Sequence, residues 1–239
     1  MDMRRESGTT MLHQGYRAEP SYNGQIAVEG SHGVIVATTL SSNPADYEAL
    51  VDLVGQTEEN TGEKPSEVLG DSGLSSYENL QYLEDHQITG YIPDQKTESL
   101  RKGTCQHPEF HKSRFQYQEA EDHYVCPMGK ILPHKGLLKR KGERNLRIYR
   151  CSECPGCQRK PQCTRAEYRT LSLDPREYLM QARRVRLATQ EGKRKYGKRK
   201  CIVEPVFGDV KYNRKMRGVL LRGKIKAKGE FWIMCIATP

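Results

Sequence analysis

Residues 22 to 40, YNGQIAVEGSHGVIVATTL, hold two runs rich in β-branched and apolar side chains around a Gly-Ser-His-Gly turn, which predicts an antiparallel hairpin. Beyond Ser41-Ser42-Asn43, Pro44 stands near a first helical position and Tyr47, Leu50, Val51 and Val54 fall on one stripe before Gly55. That spacing predicts a helix with those four residues inward. Glu67-Val68-Leu69-Gly70 reads as a short strand ending at Asp71, and Ser75 or Ser76 is placed to cap a helix that buries Tyr77, Leu80 and Leu83. ITGYIP, residues 88 to 93, reads as a further strand. The order is therefore strand, strand, helix, strand, helix, strand.

From Asp94 to about Leu173 the periodicity dissolves into Lys, Arg, Gly, Pro, His and Cys, with short strand-like pieces in HYVCP and RNLRIYRC. This stretch is expected to be an inserted cysteine-rich subdomain. A helical tract resumes near Asp174-Pro175, where Arg183, Arg184 and Arg186 sit among Met180, Val185 and Leu187. A second is expected to begin near Glu204-Pro205, with Val203, Val206, Phe207 and Val210 on the buried face and Glu204, Gly208, Lys211 and Lys215 sharing another side. The expected divisions are a polar segment 1–20, a core portion 21–93, a basic cysteine-rich insertion 94–173, and a helical portion 174–239.

The chain has 239 residues, 36 % apolar and 29 % charged, enough for one ordinary domain or two small ones. Collagen, coiled-coil array and wholly disordered chain are disfavoured. The opening MDMRRESGTT lacks an apolar signal region, and VIVA and FWIMCIA fall far short of the roughly 20 residues that span a bilayer. A cytoplasmic protein without membrane contact is expected. Its net charge of +9 hides an asymmetry: residues 1–100 hold 5 Lys/Arg against 17 Asp/Glu, and residues 101–239 hold 34 against 13. A positive field of that size fits a polyanion such as a nucleic-acid backbone, or else a merely solvated basic surface.

Asp71 stands after an apolar strand and before a helix start, where open α/β sheets put their ligands. The same position also suits a helix cap or turn former. Glu204 precedes a Pro and an amphipathic segment with a basic outer face, so a carboxylate and cations could meet the same phosphates; equally, Glu204 could serve only the helix N-terminus. Cys151, Cys154, Cys157 and Cys163 offer four thiolates within reach of one ion. Tetrahedral zinc, an iron–sulfur cluster and unoccupied structural thiols all stay open, with Cys126 and His123 as alternate ligands. Cys105, Cys201 and Cys235 stand apart.

YNGQIAVEG, then DSGLSSYENLQYLEDHQITGYIP, then YVCP with CSECPGC and PQC, then YGKRKCIVEPVFGDVKYNRKMRGVLLRG, together resemble the bacterial insertion-sequence transposases of the DDE type. The resemblance runs over roughly residues 15 to 237. It implies a ribonuclease H-like α/β fold with a mixed sheet and an insertion between the second Asp and the Glu. By it, Asp71 matches the second Asp and Glu204 the Glu, and the two hold Mg2+ or Mn2+ for cutting and joining double-stranded DNA. Phosphate contact is then expected of Lys198, Arg199, Lys211, Arg214, Lys215, Arg217 and Arg222, a zinc-stapled knuckle is expected against DNA, and paired element ends imply a homo-oligomer in the nucleoid.

The family's first Asp lies on a central strand upstream of the hairpin. Asp2 has no β-branched strand around it, and Asp46 enters a helix after the hairpin, so neither is assigned that role. Without the strand, the hairpin and the Asp71 strand would form two half-sheets with unpaired inner edges. With the stop at CIATP, the chain reads as a transposase fragment that is inactive by itself. The alternatives are a non-catalytic DNA-binding remnant built on a zinc-stapled basic module, and an ordinary zinc-stabilised protein.

Overall fold

The computed structural model describes residues 10–14, 17–43, 46–94, 100, 103–139, 145–216 and 218–238. The chain divides into two compact units, Met1–Pro93 with Arg183–Pro239, and Asp94–Ala182. Asp2, Pro44 and Arg217 lie outside the described residues.

The first unit opens with strands β1 (Thr10–Gln14) and β2 (Arg17–Ser21), paired antiparallel with each other, where the sequence suggested a polar stretch without strands. The expected hairpin follows as β3 (Asn23–Val28) and β4 (Ile35–Ser41). Glu29 fixes its turn by accepting from the backbone N–H groups of Ser31 and His32 at 2.8 and 2.7 Å. Those two bonds, His32 first, hold the Glu29 carboxyl well below the usual range.

Helices cover both faces of the hairpin. Ala37 packs with Ala49 and Leu53 of α1 (Ala49–Thr61), and Leu40 on the opposite face packs with Ala227, Phe231 and Cys235 of α7 (Lys224–Ile236). Gly24 lets this last helix approach, since a Cβ there would stand 3.1 Å from the Phe231 ring. The inward stripe of α1 is Ala49, Leu50, Leu53 and Val54, whereas Tyr47 and Val51 are exposed, Tyr47 because it lies in the 3-10 turn at Asp46–Glu48 that precedes the helix and Val51 because it falls beside the buried stripe. The helix runs past Gly55 and stops at Gly62, which takes the left-handed conformation (φ 74°) and donates its N–H to the Glu58 carbonyl.

β5 (Glu67–Leu69), α2 (Tyr77–Asp85) and β6 (Thr89–Tyr91) form a parallel βαβ unit. Ser76 caps α2 by accepting from the Asn79 N–H, and Leu83, Ile88 and Ile92 join Leu50 and Val54 in one core. The β3–β4 and β5–β6 pairs are separate two-stranded sheets among the described residues.

In the second unit, five antiparallel strands stand in the order β11-β10-β9-β8-β7. They are β7 (Gln116–Gln118), β8 (His123–Val125), β9 (Ile131–Leu138), β10 (Leu146–Arg150) and β11 (Thr170–Leu173). Their core is aromatic and sulfur-rich: Phe115, Tyr124, Leu132, Tyr149, Cys151, Cys154 and Leu171. The short helix α3 (Lys160–Cys163) closes the cysteine segment, and α4 (Glu177–Ala188) leads out of the unit. No helix of the described residues is long and apolar enough to cross a membrane.

Candidate functional site

Asp71 lies just past the C-terminal end of β5, where its extended backbone (φ −81°, ψ 178°) opens a 3-10 turn over Ser72–Leu74. One carboxylate oxygen, Oδ1, accepts the Gly73 N–H at 2.8 Å, and the residue is exposed. It is thus a turn cap, and the outward carboxylate also faces solvent at the strand end.

Three side chains brace this turn. Asp46 accepts from the Asn23 and Gln25 side-chain amides at 2.7 and 2.6 Å, and its other oxygen sits against Gly73: an added Cβ there would collide with Asp46 Oδ2 and stand 3.0 Å from Asp71 Oδ1. The structure therefore sets Asp46 beside Asp71, although its place in the sequence gave no reason to pair them. Asn79, only 2 % exposed, donates to the Tyr47 and Leu74 carbonyls at 2.7 and 2.8 Å, tying the Asp46 turn to the Asp71 turn. Arg183, equally buried, reaches from α4 to the Ser75 hydroxyl at 2.9 Å. Sequence placed Arg183 in a basic tract; nothing in its spacing marks it as a buried strut.

A glycine is required at position 73 by that crowding. Gly73→Ala is expected to cost about 1–3 kcal/mol and Asp46→Ala about 1–2, the latter because two amides lose their acceptor. Since the alanine at 73 collides with Asp46 itself, the double variant should fall short of the sum by at least about 0.5 kcal/mol. Urea midpoints of the four proteins measure this, and strict additivity would remove the contact from the account.

Glu204 stands inside α6 (Arg199–Gly208), with Pro205 also interior. The expectation that a helix begins at Glu204-Pro205 is corrected: α5 (Gln190–Gly197) ends at Lys198, which also opens α6, so helix is already established five residues before Glu204. After Gly208 the chain widens into a π-turn, Asp209–Asn213, held by Asn213 and Arg214 on the Asp209 carboxylate at 2.8 and 2.6 Å. Those bonds, Asn213 first, hold the Asp209 carboxyl below the usual carboxylate range. Lys215 lies beyond the turn with φ 58°, so it does not share a helical side with Glu204 and Lys211.

The basic side chains divide accordingly. Lys198, Lys211, Lys215 and Arg222 are exposed. Arg199 is half-buried, 3.9 Å from Glu204 and over the Tyr196 ring, and Arg214 is held by Asp209. Arg186 and Lys195 fasten the helices to the parallel pair through the Gly90 carbonyl (3.0 Å) and Glu67.

Among the described residues, no three His, Cys, Asp or Glu side chains converge as an ion would require. Asp71 and Asp46 offer oxygen donors of the type magnesium takes, and Glu204 is engaged opposite Arg199. The donor chemistry at the strand end fits the metal; the full set is not assembled there.

In the second unit, Cys126, Cys151, Cys154, Cys157 and Cys163 line one cavity of about 20 Å³. All eight cysteines are unbridged. Burial pushes the Cys151 thiol up to about 11, reinforced by Cys154 and Cys126, and raises Cys163 as well. Cys235 is likewise pushed to about 11 by burial in the first unit, while Cys201 is exposed. His123 points to Glu121 (3.3 Å) and does not line the cavity.

Residues 125–238 match the family model of the transposase DDE domain. The match includes Glu204 and the five clustered cysteines and begins after Asp71. It supports a DDE-type transposase, and a transposase DDE domain implies a ribonuclease H-like fold, divalent-metal chemistry and DNA as the partner. No curated protein and no solved structure matches the chain.

Proposed function

We propose that this chain is a portion of a bacterial insertion-sequence transposase of the DDE type, acting on the ends of a DNA element in the nucleoid. The observation that carries the reading is the DDE match over the segment in which Glu204 stands on a helix among exposed cations. Residues 183–239 hold 17 Lys/Arg against 4 Asp/Glu, so a DNA backbone would meet a strongly positive surface.

In this reading Asp71 and Glu204 are the metal-holding carboxylates, and the magnesium they hold would activate the attacking oxygen and stabilise the leaving one. The chain's own groups do the rest: Lys198, Lys211, Lys215 and Arg222 position phosphates, while Asp46, Asn79 and Arg183 keep the Asp71 turn fixed. Residues 94–182 serve as a zinc-stapled insertion drawing on Cys151, Cys154, Cys157 and Cys163. The separate β3–β4 and β5–β6 pairs support the view that the central strand carrying the first Asp is not supplied by the described residues. The chain by itself therefore binds DNA without cutting it, and oligomerisation belongs to the intact transposase.

The test uses the purified chain, its fold verified by circular dichroism, with labelled duplex DNA. Binding is expected to weaken as salt rises, with no nicking in magnesium or manganese. A folded chain that ignores DNA at low salt would sink the nucleic-acid reading. Nicking abolished by Glu204→Gln would overturn the inactivity and leave Glu204 as a catalytic ligand.

A further inference from the structure

Sequence spacing picks out four cysteines on one stretch of chain and leaves Cys126 and His123 as alternates; the fold brings Cys126, and not His123, to the same cavity. Cys126 comes from the connection between β8 and β9 and lines the same cavity as Cys151, Cys154, Cys157 and Cys163. A void of about 20 Å³ admits one water-sized body. A water there would need two to four good polar partners, and thiols are weak donors and acceptors, so the lining suits water poorly. It suits a thiophilic ion well.

Cys126 is also firmly held by its backbone. It begins a tight turn in which its N–H donates to the Lys130 carbonyl at 2.9 Å and the Gly129 N–H (φ 74°) donates back to the Cys126 carbonyl at 2.8 Å. Its sulfur accepts the Lys130 N–H at 3.3 Å, just as the Cys154 sulfur accepts the Arg169 N–H at 3.2 Å. Backbone N–H groups aimed at sulfur orient a ligand and favour its charged form. Cys151 and Cys154 belong to the buried core of this unit and Cys126 and Cys163 pack against it, whereas Cys157 lines the cavity without joining that core.

From this geometry we infer that Cys126, Cys151, Cys154 and Cys163 hold one thiophilic divalent ion, zinc in the cell, and that Cys157 is the spare sulfur at the rim. The inference rests on the zinc staple proposed above and changes its ligand set. The sulfurs ring the void without meeting at a point, so the ion draws them together, and the four thiols release their protons to solvent as it binds.

The experiment titrates the full reduced chain with cadmium and follows thiolate-to-metal absorption, with zinc competition for affinity. One ion per chain is expected. Cys126→Ser should weaken binding by at least roughly 10–100-fold and remove about a quarter of the absorption, whereas Cys157→Ser should change neither. Should Cys126→Ser fail to fold, Cys126→His keeps a ligand and should still bind, with the same loss of absorption. Alkylation of the loaded wild-type chain, read by mass spectrometry, gives an independent answer: Cys157 is labelled and Cys126 protected. Labelling of Cys126 in the loaded chain, or weakening by Cys157→Ser with Cys126→Ser silent, overturns the ligand set and spares the zinc staple. A wild-type chain that gives no thiolate absorption overturns both.

Discussion

Asp122→Ala is expected to destabilise the five-stranded unit by about 3–5 kcal/mol. Asp122 sits in the β7–β8 turn with φ 51°, a left-handed conformation that Asp and Asn tolerate better than Ala. Its carboxylate accepts the hydroxyls of Tyr117 and Tyr149 at 2.8 and 2.6 Å and pairs with Arg147. Tyr149 is fully buried in the centre of the Tyr117–Tyr124–Tyr149 cluster, so alanine leaves a buried hydroxyl without its acceptor, at roughly 1–3 kcal/mol. Asp122→Asn keeps the turn and one acceptor and should cost less than half as much. Hydrogen exchange over residues 116–173 measures both variants, and wild-type protection in Asp122→Ala would remove the carboxylate from the account.

The same carboxylate makes the unit acid-sensitive. The Tyr149 hydroxyl, then Tyr117 and Arg147, hold Asp122 below the usual carboxylate range despite its desolvation. A group whose folded value is depressed contributes fully above its unfolded value of about 3.9 and loses the contribution as pH falls through the folded value. The wild-type unit should therefore lose protection below about pH 4, and Asp122→Asn should lack that component.

What the sequence made legible follows from how each element buries its side chains. The β3–β4 hairpin and the βαβ unit were legible because apolar runs alternate with Gly, Ser and Asp punctuation. The five-stranded sheet was not, because β7 and β8 span three residues each and the interior is Tyr and Cys rather than Val and Ile. Pro205 misplaced the start of α6: a Pro usually marks a first turn, but here the Cys201–Val203 stretch is already helical when it arrives. Asp71 could be chosen from its place after an apolar strand. Asp46 could not, since its neighbourhood to Asp71 is made by a 3-10 turn and by two amides on β3, contacts that local periodicity does not encode. The thiol pocket was half legible: Cys126 and His123 both stood as alternates, and the choice of Cys126 is made by strand pairing rather than spacing.

Gly192→Ala should cost about 3 kcal/mol and disturb both halves of the candidate site at once. The bend between α4 and α5 is closed by Thr189, whose hydroxyl donates to the Arg186 carbonyl at 2.7 Å and accepts the Gly192 N–H at 2.9 Å. Gly192 is buried in this bend, and a Cβ on it would run into the Arg186 carbonyl oxygen and stand 3.0 Å from the Thr189 hydroxyl. The obstacle is backbone, which cannot rotate aside as a side chain would, so the two helices must part. On one side of the bend Arg183 and Arg186 hold the Asp71 turn and β6; on the other, α5 continues through Lys198 into the helix of Glu204. Gly197→Ala in the same helix meets nothing within 4 Å and should be neutral or gain up to about 1 kcal/mol from helix propensity. Thermal melts of the two variants, with DNA affinity at fixed salt, separate a general glycine effect from this joint. Equal stability of Gly192→Ala and Gly197→Ala would mean that the bend is pliable and that Glu204 is not positioned through it.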